Sequence, residues 1–434
     1  MFLTNVMRFF LAHQIQPFIF QQAKDFLPDM NVPHFGLYVH IPFCKVLCPF
    51  CPYYKIYYEA DTASSYLQAL LREIDMVARK LFQSKKQQVT SLYFGGGSPA
   101  LMIDDLHTIR NKINTHFKIE GNTGIELHPR DVRYDTAAKL ADAGFDMVSI
   151  GIQSFDERLL SNLKRESIDA DVIFASLRSN KFKAVDVDLI FGIPGQTEKD
   201  LQCDFIKAVE LGATQISTYP FIDFSYADNS QKPQSHTKQK KLLSVLLETA
   251  DKMNFTRTSV WTFGKKECPR YSSITRDCFL GFGPSATSLG KEAFKVNTFS
   301  VDEYIKGIEK NAIPTALKMQ FTARTRKLYW LFWNCYNGTL YESEYAALFL
   351  SELKKDFSFW LQLGTITGLL QKTDFGWQLT DKGSYYFHWV EQEYTHQYID
   401  KTWDTAMHNP WPEKRNRKKC NTDSIKNAIY CENT

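Results

Sequence analysis

Three cysteines, Cys44, Cys48 and Cys51, fall within the short stretch Tyr38-Val-His-Ile-Pro-Phe-Cys44-Lys-Val-Leu-Cys48-Pro-Phe-Cys51-Pro-Tyr53. Thiolates converging on one loop are metal ligands, and their number selects the metal. A closed zinc site takes four ligands, a set that His40 would complete as Cys₃His. A closed [4Fe–4S] cluster also takes four thiolates. Three thiolates leave one iron open for chemistry, and the next cysteine in the chain is Cys203. Both centres fit the spacing.

Other groups suited to holding a ligand recur at the ends of apolar runs. Gly95-Gly96-Gly97-Ser98-Pro99 lets a backbone approach a bound molecule without side-chain hindrance. Glu126 closes the run before His128-Pro129, and Gln153 the run that contains Ser149. Arg165 follows twelve residues after Gln153, and Asp188 lies in the next run, ahead of Gly192-Ile-Pro194-Gly195. A buried Arg165–Asp188 pair that orients loops is the alternative to a ligand role, since neither charge is tolerated alone in an interior. The string 271–288 is rich in small residues and contains Arg276 and Thr287.

These motifs as a set resemble the radical S-adenosylmethionine (SAM) enzymes. The string Tyr38-Val-His-Ile-Pro-Phe-Cys44 resembles the branch that holds oxygen-independent coproporphyrinogen III dehydrogenases, haem chaperones and anaerobilin synthases. The resemblance implies a [4Fe–4S] cluster on Cys44, Cys48 and Cys51, with SAM on the open iron. An electron from the cluster would then split SAM into methionine and a 5′-deoxyadenosyl radical. The same resemblance assigns SAM contacts to Tyr38, Phe50, Gly96, Gly97, Ser98, Glu126 and Thr287. It gives Gln153, Arg165 and Asp188 to a second SAM, and offers Arg276 as a partner for an acidic substrate group. One position departs from the pattern: coproporphyrinogen dehydrogenases carry a fourth cysteine where this chain has Tyr53, and haem chaperones carry an aromatic residue there.

The resemblance therefore implies a radical SAM oxidoreductase acting on a tetrapyrrole (porphyrin or haem). A haem chaperone with little turnover and a C-methyltransferase using two SAM molecules are the alternatives. A low-potential donor such as flavodoxin or ferredoxin would supply the electron.

The elements that must position these residues follow from periodicity. Apolar runs at 35–41, 89–94, 124–127, 147–151, 185–191 and 215–219 read as strands. Helical spacing follows at 63–81, 103–113, 136–143, 198–210 and 238–253. Strand–helix alternation implies an α/β fold with a parallel sheet and sites at the strands' C-terminal ends. With the resemblance it implies a partial (β/α)₆ barrel over 35–315. Beyond it, helices at 325–336 and 341–361, a hairpin at 369–381 and a helix capped by Thr380 read as a small winged-helix-like α+β domain, 316–405. Trp330, Trp333, Trp377 and Trp389 read as its core. Residues 1–34 read as a helical extension and 406–434 as a flexible basic tail.

The 434 residues, 44% hydrophobic and 23% charged, suit a soluble chain of two or three domains. Lysine and arginine total 52 against 48 acidic residues, an excess too small for a nucleic-acid binder. Polar residues interrupt the apolar patches of 1–20, so no membrane span is expected. The six other cysteines show no framework spacing, which suits a reducing cytoplasm.

Overall fold

The computed structural model describes residues 20–83, 85–227, 231–270 and 277–411. Six strands carry the barrel-like half: β1 Gly36–Ile41, β2 Leu92–Gly96, β3 Thr123–Leu127, β4 Met147–Gln153, β5 Ala184–Phe191 and β6 Gln215–Pro220. Each is followed by a helix, in order α1 Ala60–Phe82, α2 Leu106–His116, α3 Tyr134–Asp142, α4 Ala170–Ser179, α5 Glu198–Leu211 and α6 His236–Lys252. The strands pair in parallel, each with the next in sequence. One face of these strands packs in the apolar core (Ile125, Val148, Ile150, Val187, Leu189 and Ile216), and the alternate residues face the inside of the barrel.

The strand β7 Phe279–Phe282 adds in parallel to the free edge of β1. Beyond it β8 Thr287–Leu289, β9 Ala293–Asn297 and β10 Thr315–Gln320 continue antiparallel. With Gln21–Gln22 on β10, and Thr262–Gly264 and Thr256–Arg257 beyond β6, one sheet of 13 strands results. It reaches Gln320, past the expected boundary at 315.

The helices are held by amphipathic faces. Tyr66, Leu70, Ile74 and Val77 of α1 are at most 1% exposed, and each such side chain contributes roughly 1.5–3 kcal/mol by leaving water. Thr197 caps α5 and forms a capping box with Asp200.

After the sheet come α7 Ala323–Tyr336, a strand Thr339–Tyr341, α8 Glu342–Phe349, α9 Leu353–Ile366, the hairpin Leu370–Thr373/Gly376–Leu379, and α10 Asp381–Tyr394. These four helices, a strand and a hairpin form a three-stranded sheet with flanking helices. Thr380 caps α10, accepting from Gly383 N at 3.0 Å. Trp330 and Trp377 share one buried cluster and Trp389 is buried, whereas Trp333 packs half-buried against the main core instead of theirs.

Two readings need correction. The single helix expected over 341–361 is two, broken at Leu350, where φ is 50°. The part of the expected helical extension that is described, 20–34, holds no helix; Gln21 and Gln22 pair with Lys318 and Leu317. Residues 1–19, the tail from 412 onward and Arg276 lie outside the described residues.

Candidate active site

The cysteine loop leaves β1 at Pro42 and is clamped at its base. Phe43 and Cys44 pair in parallel with Ile56 and Tyr57, so a two-strand ladder pins both ends of the loop. Ile56 N donates to Pro42 O at 2.7 Å, and Tyr58 N to Cys44 O at 3.0 Å. Within the loop Cys51 N donates to Cys48 O at 3.3 Å, and Lys55 Nζ to Cys51 O at 3.0 Å.

All three thiols line one cavity at the C-terminal ends of β1–β6. Burial, reinforced by Cys51 and Cys48, pushes the Cys44 thiol up to about 12. Burial also raises Cys51. Thiols held this high lose their protons when a metal takes the proton's place. Among the described residues no three His, Cys, Asp or Glu side chains converge tightly enough for a single metal ion. His40 is engaged through both ring nitrogens, Nδ1 with the Tyr38 hydroxyl at 3.0 Å and Nε2 with Tyr54 O at 2.9 Å. With both ring nitrogens engaged, His40 does not complete a Cys₃His zinc site. Three thiols around one cavity fit a cluster that spans them and keeps an open iron.

The glycine turn is packed against this loop. Gly96 has φ of 111°, and a Cβ there would lie 2.6 Å from the His40 ring, so only glycine fits. The amides are occupied: Gly96 N donates to Glu126 Oε2 at 3.2 Å, Gly97 N to Ile41 O and Ser98 N to Phe43 O, both at 2.7 Å. Ser98 Oγ donates to Asp131, which also meets Lys45 Nζ at 3.3 Å. The turn therefore offers a ligand its carbonyls and open surface rather than its N–H groups.

Glu126, at the end of β3, lines the cavity and is fixed by Tyr93, whose hydroxyl donates to Oε1 at 2.8 Å. Burial raises its carboxyl above the ordinary value. Gln153 ends β4 with φ of 71°, where the register with β5 slips between Val187 and Leu189. That irregularity delivers Gln153 to the cavity. Arg165 lies across from it: Nη1 is 3.7 Å from Cys48 Sγ, and Nη2 donates to Gly151 O at 2.9 Å. Asp188 accepts from Ser149 Oγ at 3.0 Å. Arg165 and Asp188 share the cavity, yet Arg165's contacts are with Cys48 and Gly151 instead of Asp188, so the paired-charge alternative is not what is built.

Cys44, Cys48, Cys51, Phe50, Gly96, Gly97, Glu126, Gln153, Arg165 and Asp188 thus meet around one space. Tyr38, Ser98 and Thr287 are not among its lining residues. Tyr38 lies behind it, its ring stacked on Tyr93 at 6.2 Å. Thr287 sits on β8, with β7 between that strand and β1.

The sequence reading missed much of the wall. Asp186, Ser217, Tyr219, Trp261 and Tyr336 all face the cavity. The available signal was polar residues at alternate positions in β4 and β5, Ser149 and Asp186/Asp188, where a purely structural strand would be apolar.

Comparison with known proteins agrees with this geometry. Residues 38–203 match the radical SAM superfamily. The oxygen-independent coproporphyrinogen III oxidase of Pseudomonas aeruginosa is 31% identical over 194 residues, 43% of this chain and 42% of that protein. The match thus spans less than half of that relative's length. The haem chaperone HemW of Bacillus subtilis is 26% identical over 293 residues, 64% of this chain and 76% of that one. The anaerobilin synthase of Escherichia coli O157:H7 is 33% identical over 188 residues, 42% of each. The structure of the Escherichia coli coproporphyrinogen III oxidase HemN, described as a radical SAM enzyme, superposes with a TM-score of 0.72 at 22% identity, covering 91% of this chain and 98% of that one. That likeness shows the fold. Residues 38–203 thus match a radical SAM domain, which implies a [4Fe–4S] cluster and SAM as cofactors, and the chain is similar to coproporphyrinogen III oxidases, haem chaperones and anaerobilin synthases.

Proposed function

We propose that this radical SAM enzyme modifies a tetrapyrrole. The observation that carries the reading is a shared space: the three thiols and an aromatic wall of Tyr53, Tyr219, Trp261 and Tyr336 line the same cavity. Flat apolar walls suit a macrocycle, and the cationic Arg165 and Arg270 at the same cavity suit its acidic substituents.

Bound together, cluster and SAM supply one-electron cleavage of a sulfonium C–S bond and with it a hydrogen-abstracting 5′-deoxyadenosyl radical. The chain's own residues do the remaining work. Cys44, Cys48 and Cys51 ligate. Glu126, held by Tyr93 and Gly96, meets the ammonium or ribose of SAM, and Gly96 and Gly97 give it an unobstructed floor. Gln153, Arg165 and Asp188 would hold a second SAM. The aromatic wall keeps water from the reacting atoms.

Tyr53 favours a second reading, a haem carrier with little turnover, because it stands where the decarboxylating relatives place a further cysteine. Purified protein, reconstituted without oxygen and given SAM, reductant and a panel of tetrapyrroles, separates the two. Sustained 5′-deoxyadenosine release with a modified tetrapyrrole by mass supports the enzyme. Stoichiometric haem retention without product supports the carrier. A low-potential flavodoxin or ferredoxin in the cytoplasm is the proposed electron source; among the described residues no helix is long and apolar enough to cross a membrane.

A further inference from the structure

Two carboxylates stand side by side in the cavity and share a hydroxyl. Asp186 and Asp188 flank Val187 on β5, so both side chains leave the same face of the strand. Both line the cavity. Ser149 on β4 joins them: its Oγ is 3.0 Å from Asp188 Oδ2 and 3.5 Å from Asp186 Oδ2. Ser217 on β6 donates to that same Asp186 oxygen at 2.7 Å. Asp186 is 1% exposed.

The surroundings add negative character. Glu126 faces Asp188 from β3, and the phenols of Tyr219 and Tyr53 lie near it. Tyr336 of α7 also faces the cavity, and Gln215 on β6 eases the Asp186 charge. Of the three cavity cations, Arg165 is directed to Cys48 and Gly151, Arg270 reaches Asn337, and Lys55 donates to Cys51 O. Buried like charges this close share a proton rather than ionise together.

We propose that Asp186 and Asp188 hold one proton between them when the cavity is empty, and that a cationic group docking at Asp188 expels it to solvent. The pair then passes from one negative charge to two, and the entering cation balances the added one. Asp186 is a positioning residue here: it touches no ligand and sets the charge of the neighbour that does. Burial supports this assignment by raising Asp186 to about 6, and Asp188, with Asp186 as the next cause, well above the carboxylate range. The inference rests on the reading that Asp188 meets a second SAM, whose sulfonium and ammonium are the cations concerned.

The test is SAM binding to the anaerobically reconstituted full chain, by calorimetry in two buffers of different ionisation enthalpy. The wild type should bind two SAM molecules, the weaker with release of about one proton. Its affinity should fall about tenfold per pH unit on acidification. Asp186→Asn should keep the second site at neutral pH while abolishing the proton release and moving the loss of affinity to lower pH. Infrared difference spectra of the wild type, which need no variant, should lose a carboxylic-acid C=O band when the second SAM binds. Two bound SAM molecules with buffer-independent heats and no lost band would overturn the shared proton alone. A stoichiometry of one at every pH would overturn the second site and this inference with it.

Discussion

Arg165 places its guanidinium Nη1 3.7 Å from the Cys48 sulfur while its Nη2 grips Gly151 O at 2.9 Å. A fixed positive charge therefore sits beside one of the three thiols, anchored to the end of β4. Such a charge stabilises the more negative, reduced state of whatever that sulfur ligates. Arg165→Met should lower the cluster's reduction potential by about 60 mV, equivalent to about 1.4 kcal/mol for one electron. An EPR-monitored redox titration reads this directly; an unmoved potential would show that the contact has no electrostatic consequence.

Glu126 holds two donors at once, the Tyr93 hydroxyl and Gly96 N. Glu126→Ala strands both in a buried wall, at a cost of about 1–3 kcal/mol each, and should lower the Tm of the reconstituted protein by several degrees. Glu126→Gln keeps the shape and one acceptor. It should weaken SAM binding about tenfold, or 1.4 kcal/mol, with the smaller effect on Tm. Equal SAM affinity in wild type and Glu126→Gln would remove Glu126 from the cofactor's contacts.

Gly96 is the point where the glycine turn and the cysteine loop touch. Gly96→Ala forces a Cβ against the His40 ring and a side chain into positive φ. His40 in turn holds Tyr54 O, at the far side of the cysteine loop. The expected result is a loss of about 1–3 kcal/mol together with reduced iron content. Full iron loading in the variant would show that the loop does not depend on this packing.

Glu391 on α10 gives the clearest pH signature outside the cavity. It is 6% exposed; Thr395 donates to its Oε1 at 2.8 Å, and among the described residues its Oε2 has no partner. Burial raises it from the ordinary 4.5 to about 8. Because the folded state keeps this proton after the unfolded state has released it, stability declines as pH rises from about 4.5 to about 8. Glu391→Gln, a neutral stand-in, should flatten that decline and raise Tm at pH 8 relative to wild type. Thermal melts across pH 5–8 check it; parallel curves for the two proteins would contradict it.

The strands that position the cavity were legible because their outward faces are apolar against the helices, as with Val185, Val187, Leu189 and Phe191 of β5. The three thiols were legible because their spacing confines them to one loop. What was not legible depends on long-range pairing. The run 89–94 looked like one strand, but Gln87–Val89 pairs with Phe117–Ile119 in a separate ladder, and β2 begins at Leu92. The break at Leu350 carries no glycine or proline to announce it. Trp261 joins the wall from the turn before the short strand Thr262–Gly264, and Tyr336 from α7. Nothing local in either run distinguishes a cavity wall from core.

The central claim is an iron–sulfur cluster on Cys44, Cys48 and Cys51 with one iron left for SAM. The most direct test is the low-temperature EPR spectrum of the reduced, anaerobically reconstituted protein before and after SAM, alongside iron, sulfide and zinc analysis of wild type and Cys48→Ala. The account predicts about four irons and four sulfides per chain, a signal that SAM shifts, and loss of both in Cys48→Ala. Zinc without sulfide, or a cluster signal indifferent to SAM, would contradict it.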